Sequence, residues 1–215
     1  IAYHDIPVQH GMTAGELARM INAERDIGVE LQVVKIEGWK RSQLFDTTGQ
    51  PWTNPSPNMR SLTQALLYPG IGLLETAMSV GRGTDTPFEV IGAPYIDDVK
   101  LANQLNALGQ PGVRFVPIRF TPDYSVHNDE SCGGVNIIIT DRHKLRAVPL
   151  GIDIARVLHD LYPKSFPLAK VDRLLCHPPT LEALGQGKTL TQIKALWKTD
   201  LAKFTSRRAK YLLYE

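Results

Sequence analysis

The chain has 215 residues, 43% of them apolar and 21% charged, with a formal net charge of +2. That balance belongs to an ordinary globular protein, able to bury a core as one large domain or as one domain with an appendage. It excludes a membrane-spanning helix, because the apolar runs are only a few residues long, as from Val135 to Ile139 with Asn136 inside. It also offers no electrostatic case for nucleic acid: the one basic cluster, Arg207, Arg208 and Lys210, sits near a helix end, where cations are favoured anyway.

The chain starts at Ile1 with no signal-peptide pattern after it, which reads as a processed or trimmed piece of something longer. A first helix is announced by Thr13-Ala14-Gly15-Glu16, a capping box with Met12 and Leu17 placed as a hydrophobic staple. Leu17, Met20, Ile21 and Ile27 continue at near-helical spacing, and Gly28 is the expected stop. Val29 to Glu37 alternates, with Val29, Leu31 and Val33 on one side, and predicts a strand. From Gly38 to Arg60 glycines and prolines replace periodicity, while Trp39, Phe45 and Trp52 argue against disorder; the segment reads as an ordered, functional loop.

Ser61 to Tyr68 predicts a short helix closed by Pro69-Gly70. Asp97 or Asp98 caps a helix reaching Leu108, with Val99, Ala102, Leu105 and Leu108 inward and Gly109 as stop. Val113–Phe120 and Val135–Thr140 read as strands, the second buried on both faces. Leu150–Leu161 is a helix with Pro149 suited to its first turn, and Thr191–Arg208 is the last, with Ile193, Leu196, Trp197, Leu201 and Phe204 as its apolar stripe. Without a βαβ rhythm the order favours α+β. The two cysteines, Cys132 and Cys176, are too few for a disulfide scaffold, and their pairing stays open.

Several motifs fail on inspection. Gly187-Lys188-Thr189 resembles the end of a phosphate loop, but Glu182 stands where that loop needs glycine. Gly70-Ile71-Gly72 opens a dinucleotide fingerprint that Glu75 interrupts. There is no zinc-ligand spacing and no Gly-x-Ser-x-Gly elbow, so neither a metal site nor a serine hydrolase is expected, and no cofactor is called for. Chemistry is expected instead along Tyr68–Ile96, where Glu75, Arg82 between Gly81 and Gly83, and Glu89 lie among turns.

Each candidate has a plain structural alternative. Glu75 follows Leu73-Leu74; burial there would raise its pKa and suit general-acid work, against an ordinary solvent-facing or capping glutamate. Glu89 faces away from Phe88 and Val90 if that run is a strand, toward a cleft or into an ion pair with Arg82. Arg82 could hold an anion with its fork or bridge loop carbonyls. Trp39, Trp52 and Tyr95 are flat faces of the kind that line sugar clefts, or simply core. Asn54 and Asn58 could serve only turns, and His10 could donate into a cleft or satisfy the loop backbone.

Taken in order, these segments resemble the exo-lytic β-N-acetylmuramidase (NamZ-type) family. The resemblance rests on Gln9-His10-Gly11-Met12-Thr13 with Gly15-Glu16-Leu17, Gly38-Trp39-Lys40-Arg41, and Trp52 with Asn54-Pro55-Ser56-Pro57-Asn58. It continues through Tyr68-Pro69-Gly70, Gly81-Arg82-Gly83-Thr84, Pro87-Phe88-Glu89 and Gly92-Ala93-Pro94. Cys132-Gly133-Gly134-Val135 with Thr140-Asp141, and Tyr211-Leu212-Leu213-Tyr214, complete it over essentially the whole chain.

The resemblance implies a usually exported enzyme of cell-wall recycling that removes N-acetylmuramic acid from the non-reducing ends of peptidoglycan fragments. It implies Glu75 as a catalytic carboxylate, with His10, Trp39, Arg41, Asn58, Arg82, Thr84 and Glu89 around the substrate; Arg82 or Arg41 would meet the lactyl carboxylate. It divides the chain into a connecting segment with the capped helix, residues 1–28, and a smaller C-terminal α+β domain, residues 29–215, a mixed sheet with flanking helices. The N-terminal Rossmann-like domain of such enzymes, expected to bring a second catalytic glutamate, is absent from this chain. One departure follows Glu75: the family usually carries a small residue and then Thr-Asn, and here Thr76-Ala77-Met78 puts a thioether where an amide could orient Glu75 or bind substrate.

Overall fold

The computed structural model describes residues 4–215, so Ile1 lies outside the described residues. They form two compact units, one running to Trp52 and resuming at Trp197–Glu215, the other Thr53–Leu196.

In the first unit α1 (Ala14–Glu24) starts as its sequence signals. Thr13 Oγ1 accepts from the Glu16 amide at 3.3 Å, and the Glu16 carboxylate accepts from the Thr13 amide at 2.7 Å. Glu16 does more than cap: its other oxygen accepts from Arg41 Nη2 at 2.6 Å and from the Leu213 amide at 2.7 Å, tying helix start, loop and C-terminal tail together. The helix ends at Glu24, before Ile27, which is exposed.

The strand expected over residues 29–37 does not form. Alternation marks a face, but a strand needs a neighbour to complete its ladder. Here side chains meet the backbone instead: Asn22 brackets both the N–H and the C=O of Val29, and the Tyr214 hydroxyl accepts from the Ile36 amide at 3.1 Å. Val29, Leu31, Val34 and Ile36 are left exposed.

The second unit is α+β. Its sheet has the order β1 (Val90–Ala93), β3 (Cys132–Ile139), β2 (Val113–Phe120), antiparallel throughout rather than mixed. Val90 pairs with Asn136 and Val113 with Ile139. β2 is an edge, which tolerates Pro117 and its missing donor. The central β3 starts three residues before the expected Val135 and is buried from Cys132 to Val135, but Ile138 is exposed, so its far end is covered on one face only.

α3 (Asp98–Ala107) packs on β2 and β3, capped by Asp97, whose carboxylate accepts from the Lys100 amide at 2.9 Å. Its buried stripe is Leu101, Ala102 and Leu105, the face turned to β2 and β3; the expected Val99 and Leu108 are exposed.

α2 (Leu62–Ile71), capped by Ser61, runs through Pro69-Gly70 rather than stopping there. The reason lies across the interface with α4 (Ala147–Leu161). A Cβ on Gly70 would sit 1.8 Å from the Ala147 carbonyl oxygen, and one on Gly151 would sit 2.3 Å from the Gly70 carbonyl oxygen. Two glycines let the helices touch backbone to backbone, and the resulting burial of Gly70, Ile71, Leu150 and Ile152 holds the turn that proline would otherwise break. Gly70→Val is therefore expected to destabilise this unit by about 3 kcal/mol, read as a lowered urea midpoint.

A 3-10 turn at Leu168–Val171, α5 (Asp172–Leu175) and α6 (Pro178–Gly185) close the unit. In α7 (Leu190–Ala209) Ile193 and Phe204 are buried, whereas Leu196 and Leu201 of the expected stripe are exposed. Cys132 and Cys176 are both free; burial, with Glu130 beside it, pushes the Cys132 thiol up to about 11. Among the described residues no helix is long and apolar enough to cross a membrane, and no group of three metal-ligating side chains gathers.

Candidate functional site

The candidates divide between the units: His10, Trp39 and Arg41 belong to the first, and Asn58, Glu75, Arg82, Thr84 and Glu89 to the second.

In the first unit the side chains are mutually engaged. His10 Nδ1 accepts from the Met12 amide at 3.2 Å, and burial, with Arg208 nearby, lowers its pKa. Trp39 stands edge-on to Tyr214 at 5.0 Å, with the Arg41 guanidinium 5.9 Å from its ring. Arg41 gives Nη1 to the Gly11 carbonyl (2.7 Å) and Glu16 (3.2 Å), and Nη2 to Glu16 and the Tyr214 carbonyl (3.2 Å). Burial alone would raise the Glu16 carboxyl, but the Arg41 hydrogen bonds, the Leu213 and Thr13 amides and the Arg41 charge together bring it to about 2.

The second unit builds a connected loop cluster. After α2 a 3-10 turn, Gly72–Leu74, buries Leu73 and Leu74, and the chain dives again at Ala77 and Met78, which leaves Glu75 at the surface between two anchored runs. Met78 is wholly buried and so faces the core. Glu75 is not enclosed in apolar surroundings: its side chain is 24% exposed and pairs with Arg82, itself 27% exposed.

Arg82 Nη2 lies 2.8 Å and Nε 3.3 Å from the same oxygen, Glu75 Oε2. Oε1 of Glu75 and Nη1 of Arg82 remain without a partner among the described residues. Arg82 thus pairs with Glu75 and not with Glu89, whose Oε1 accepts from Gln64 Nε2 at 3.1 Å.

The loop holding Arg82 requires its glycines. Gly81 and Gly83 have φ of 77° and 81°, and a Cβ on Gly83 would lie 2.6 Å from the Tyr124 amide. Thr84 serves this loop, its hydroxyl donating to the Gly81 carbonyl at 2.7 Å and accepting from the Thr86 amide at 3.2 Å. Beside it the β2–β3 connection leans in: the Asp123 amide donates to the Gly83 carbonyl at 2.9 Å, and the Tyr124 hydroxyl donates to Asn58 Oδ1. Asn58 is therefore buried and fixed, while Tyr124 is exposed.

Tyr124 and Gln64 escaped the sequence reading. Tyr124 lies in a loop with no periodicity, and nothing local marks it. Gln64 had a readable signal, the Ser61-x-x-Gln64 capping pattern, but its side chain reaches the Arg60 amide (2.6 Å) and Glu89.

Under Arg82 lies Phe88, 1% exposed, with its ring centroid 5.3 Å from the guanidinium carbon and Tyr68 edge-on at 4.9 Å. Its φ is 65°, a left-handed conformation costing an aromatic L-residue about 1–2 kcal/mol. Of the other aromatic candidates, Trp52 meets Phe45 edge-on at 5.2 Å, and Tyr95 stands against Tyr162 with its hydroxyl buried and raised to about 12, chiefly by burial.

Comparison with known proteins agrees with this arrangement of motifs. A family model described as exo-beta-N-acetylmuramidase NamZ, C-terminal, matches residues 66–214, and the corresponding N-terminal model matches residues 1–63. The peptidoglycan beta-N-acetylmuramidase NamZ of Bacillus subtilis (strain 168) is 40% identical over 218 residues, covering 100% of this chain and 53% of that protein.

Two crystal structures of DUF1343 family proteins from Bacteroides fragilis NCTC 9343 are similar. One has TM-score 0.90 at 31% identity, covering 100% of this chain and 59% of the other. The second has TM-score 0.74 at 27% identity, covering 96% and 56%. The chain spans little more than half the length of each of these proteins. With one family model matching 66–214 and a relative 40% identical along all of it, the chain belongs to the NamZ exo-β-N-acetylmuramidase family.

Proposed function

We propose that this chain is the substrate-holding part of a glycoside hydrolase that releases N-acetylmuramic acid from the non-reducing ends of peptidoglycan fragments, in bacterial cell-wall turnover and recycling. The observation that carries the reading is the Glu75–Arg82 pair, part-exposed on anchored loops, with one carboxylate oxygen and one guanidinium nitrogen open to a ligand. Glycoside hydrolysis uses two carboxyl groups across the scissile bond. Glu75 is one of them; as the anionic member of an ion pair it accepts, acting as base or as a positioning group. We assign the second to the N-terminal domain of such enzymes, whose family model this chain matches over residues 1–63.

Muramic acid differs from N-acetylglucosamine by its lactyl carboxylate, which suits a guanidinium fork. Arg82 is the better candidate of the two arginines, because the Arg41 donors are committed to Glu16 and to the carbonyls of Gly11 and Tyr214. Asn58, Thr84 and Glu89 support the loops around the sugar. We infer that the enzyme acts outside the cytoplasm, where its peptidoglycan substrate lies.

The test is release of N-acetylmuramic acid from a muramic-acid-terminated disaccharide, by this chain and by a chimera carrying the part of the Bacillus subtilis relative that the chain does not span. Release by the chimera alone means that the chain holds substrate and the second carboxylate lies elsewhere. Binding without release by either form would make it a muropeptide-binding module, and neither binding nor release would defeat the reading.

A further inference from the structure

Thr86-Pro87-Phe88-Glu89 is a tight turn: the Glu89 amide donates to the Thr86 carbonyl at 3.1 Å, proline takes the second position, and the third has positive φ. That is the pattern of a type II turn, whose third position is normally glycine because only glycine adopts it without strain. Here it is filled by phenylalanine. The strained backbone is held on both sides, by the Phe88 amide donating to the Val80 carbonyl and by the Glu89 carbonyl accepting from Ile137, both at 2.7 Å. A large ring retained at a glycine position, in a turn pinned at both ends, asks what the ring is for.

It lies under Arg82, 5.3 Å from the guanidinium carbon and within the range of a cation–π contact, and Tyr68 braces it edge-on. The guanidinium is thus fixed by two contacts of different kind: Phe88 below, and Glu75 Oε2 on the edge carrying Nε and Nη2. Its Nη1 is the free end.

We propose that Phe88 is a positioning residue and specificity determinant. It holds the Arg82 plane so that the Nη1 edge faces the anionic substituent of the substrate, letting the site tell an acidic sugar from its neutral analogue. The proposal rests on the muramidase reading for the identity of that acid, not for the positioning itself. Phe88 touches no substrate and acts only through Arg82.

The test replaces Phe88 with 4-fluoro- and then 3,4,5-trifluorophenylalanine, which keep the shape and burial of the ring while withdrawing charge from its face. Phe88→Leu is a cruder second variant. Two readouts are taken on protein whose backbone amide spectrum is unchanged. The first is the solvent-exchange protection of the Arg82 Nε–H signal. The second is the ratio of affinities for N-acetylmuramic acid and N-acetylglucosamine.

The expected result is stepwise loss of Nε–H protection with fluorination, and a fall of about fivefold in the acid-to-neutral ratio, with neutral-sugar affinity unchanged. Protection indifferent to fluorination would overturn the positioning role. Loosened Arg82 with an unchanged ratio would overturn the specificity role. If the unmodified protein bound neither sugar while fluorination still loosened Arg82, the muramidase reading would fall and the positioning role would stand.

Discussion

Glu75→Gln is expected to lower release of N-acetylmuramic acid about a thousandfold, in whichever form of the protein releases it, with the fold intact. Glutamine keeps the size of the side chain and an oxygen for Arg82 to donate to at Oε2, 2.8 Å from Nη2 in the native pair. It removes the charge and the capacity to accept a proton at the oxygen that stays open. The side chain is at the surface between buried anchors, Leu74 and Met78, so nothing in the core depends on it.

The kinetic split tells the roles apart. A group that takes part in the chemistry lowers kcat, whereas one that only holds Arg82 for substrate raises KM at constant kcat. An activity of Glu75→Gln within a few-fold of the parent protein would remove Glu75 from the mechanism.

Arg41→Ala is expected to destabilise the first unit by about 3 kcal/mol, because it strands a carboxylate with no exposed side-chain surface. Glu16 keeps the Thr13 and Leu213 amides but loses the fork that offsets its burial. Arg41→Lys restores the charge without the two-pronged geometry and should recover only part of the loss.

The pH dependence has a definite sign. The folded-state value of Glu16, about 2, lies below its ordinary 4.5, so its stabilisation is complete above 4.5 and drains away as pH falls toward 2. In Arg41→Ala this acid-dependent loss should shrink, because burial is no longer offset by the guanidinium and the folded-state value moves back toward the ordinary one. Denaturant midpoints across pH 2–7 check both expectations. A stable Arg41→Ala protein with impaired sugar binding would return Arg41 to the substrate site.

What the sequence determined by itself was local. The capping box at Thr13–Glu16, the Asp97 cap, the eight residues of β2 and the glycines flanking Arg82 follow from short-range rules, since capping donors, turn dihedrals and side-chain alternation are decided within a few residues. The ordered motifs likewise carried the family.

Tertiary structure decided whatever depends on a neighbour distant in sequence. Residues 29–37 alternate as a strand should but find no ladder, so they are not one. α2 passes through Pro69 because Gly70 meets Gly151, 81 positions later. Val99 and Leu108 are exposed because the sheet, not the helix's own periodicity, chose which face of α3 to cover.

The same holds for the candidate site. Residue types nominated Arg82, Arg41, Glu75 and Glu89 alike. Only packing could assign Arg41 to Glu16, Glu89 to Gln64 and Arg82 to Glu75, because which charge meets which is set by loops that the core brings together.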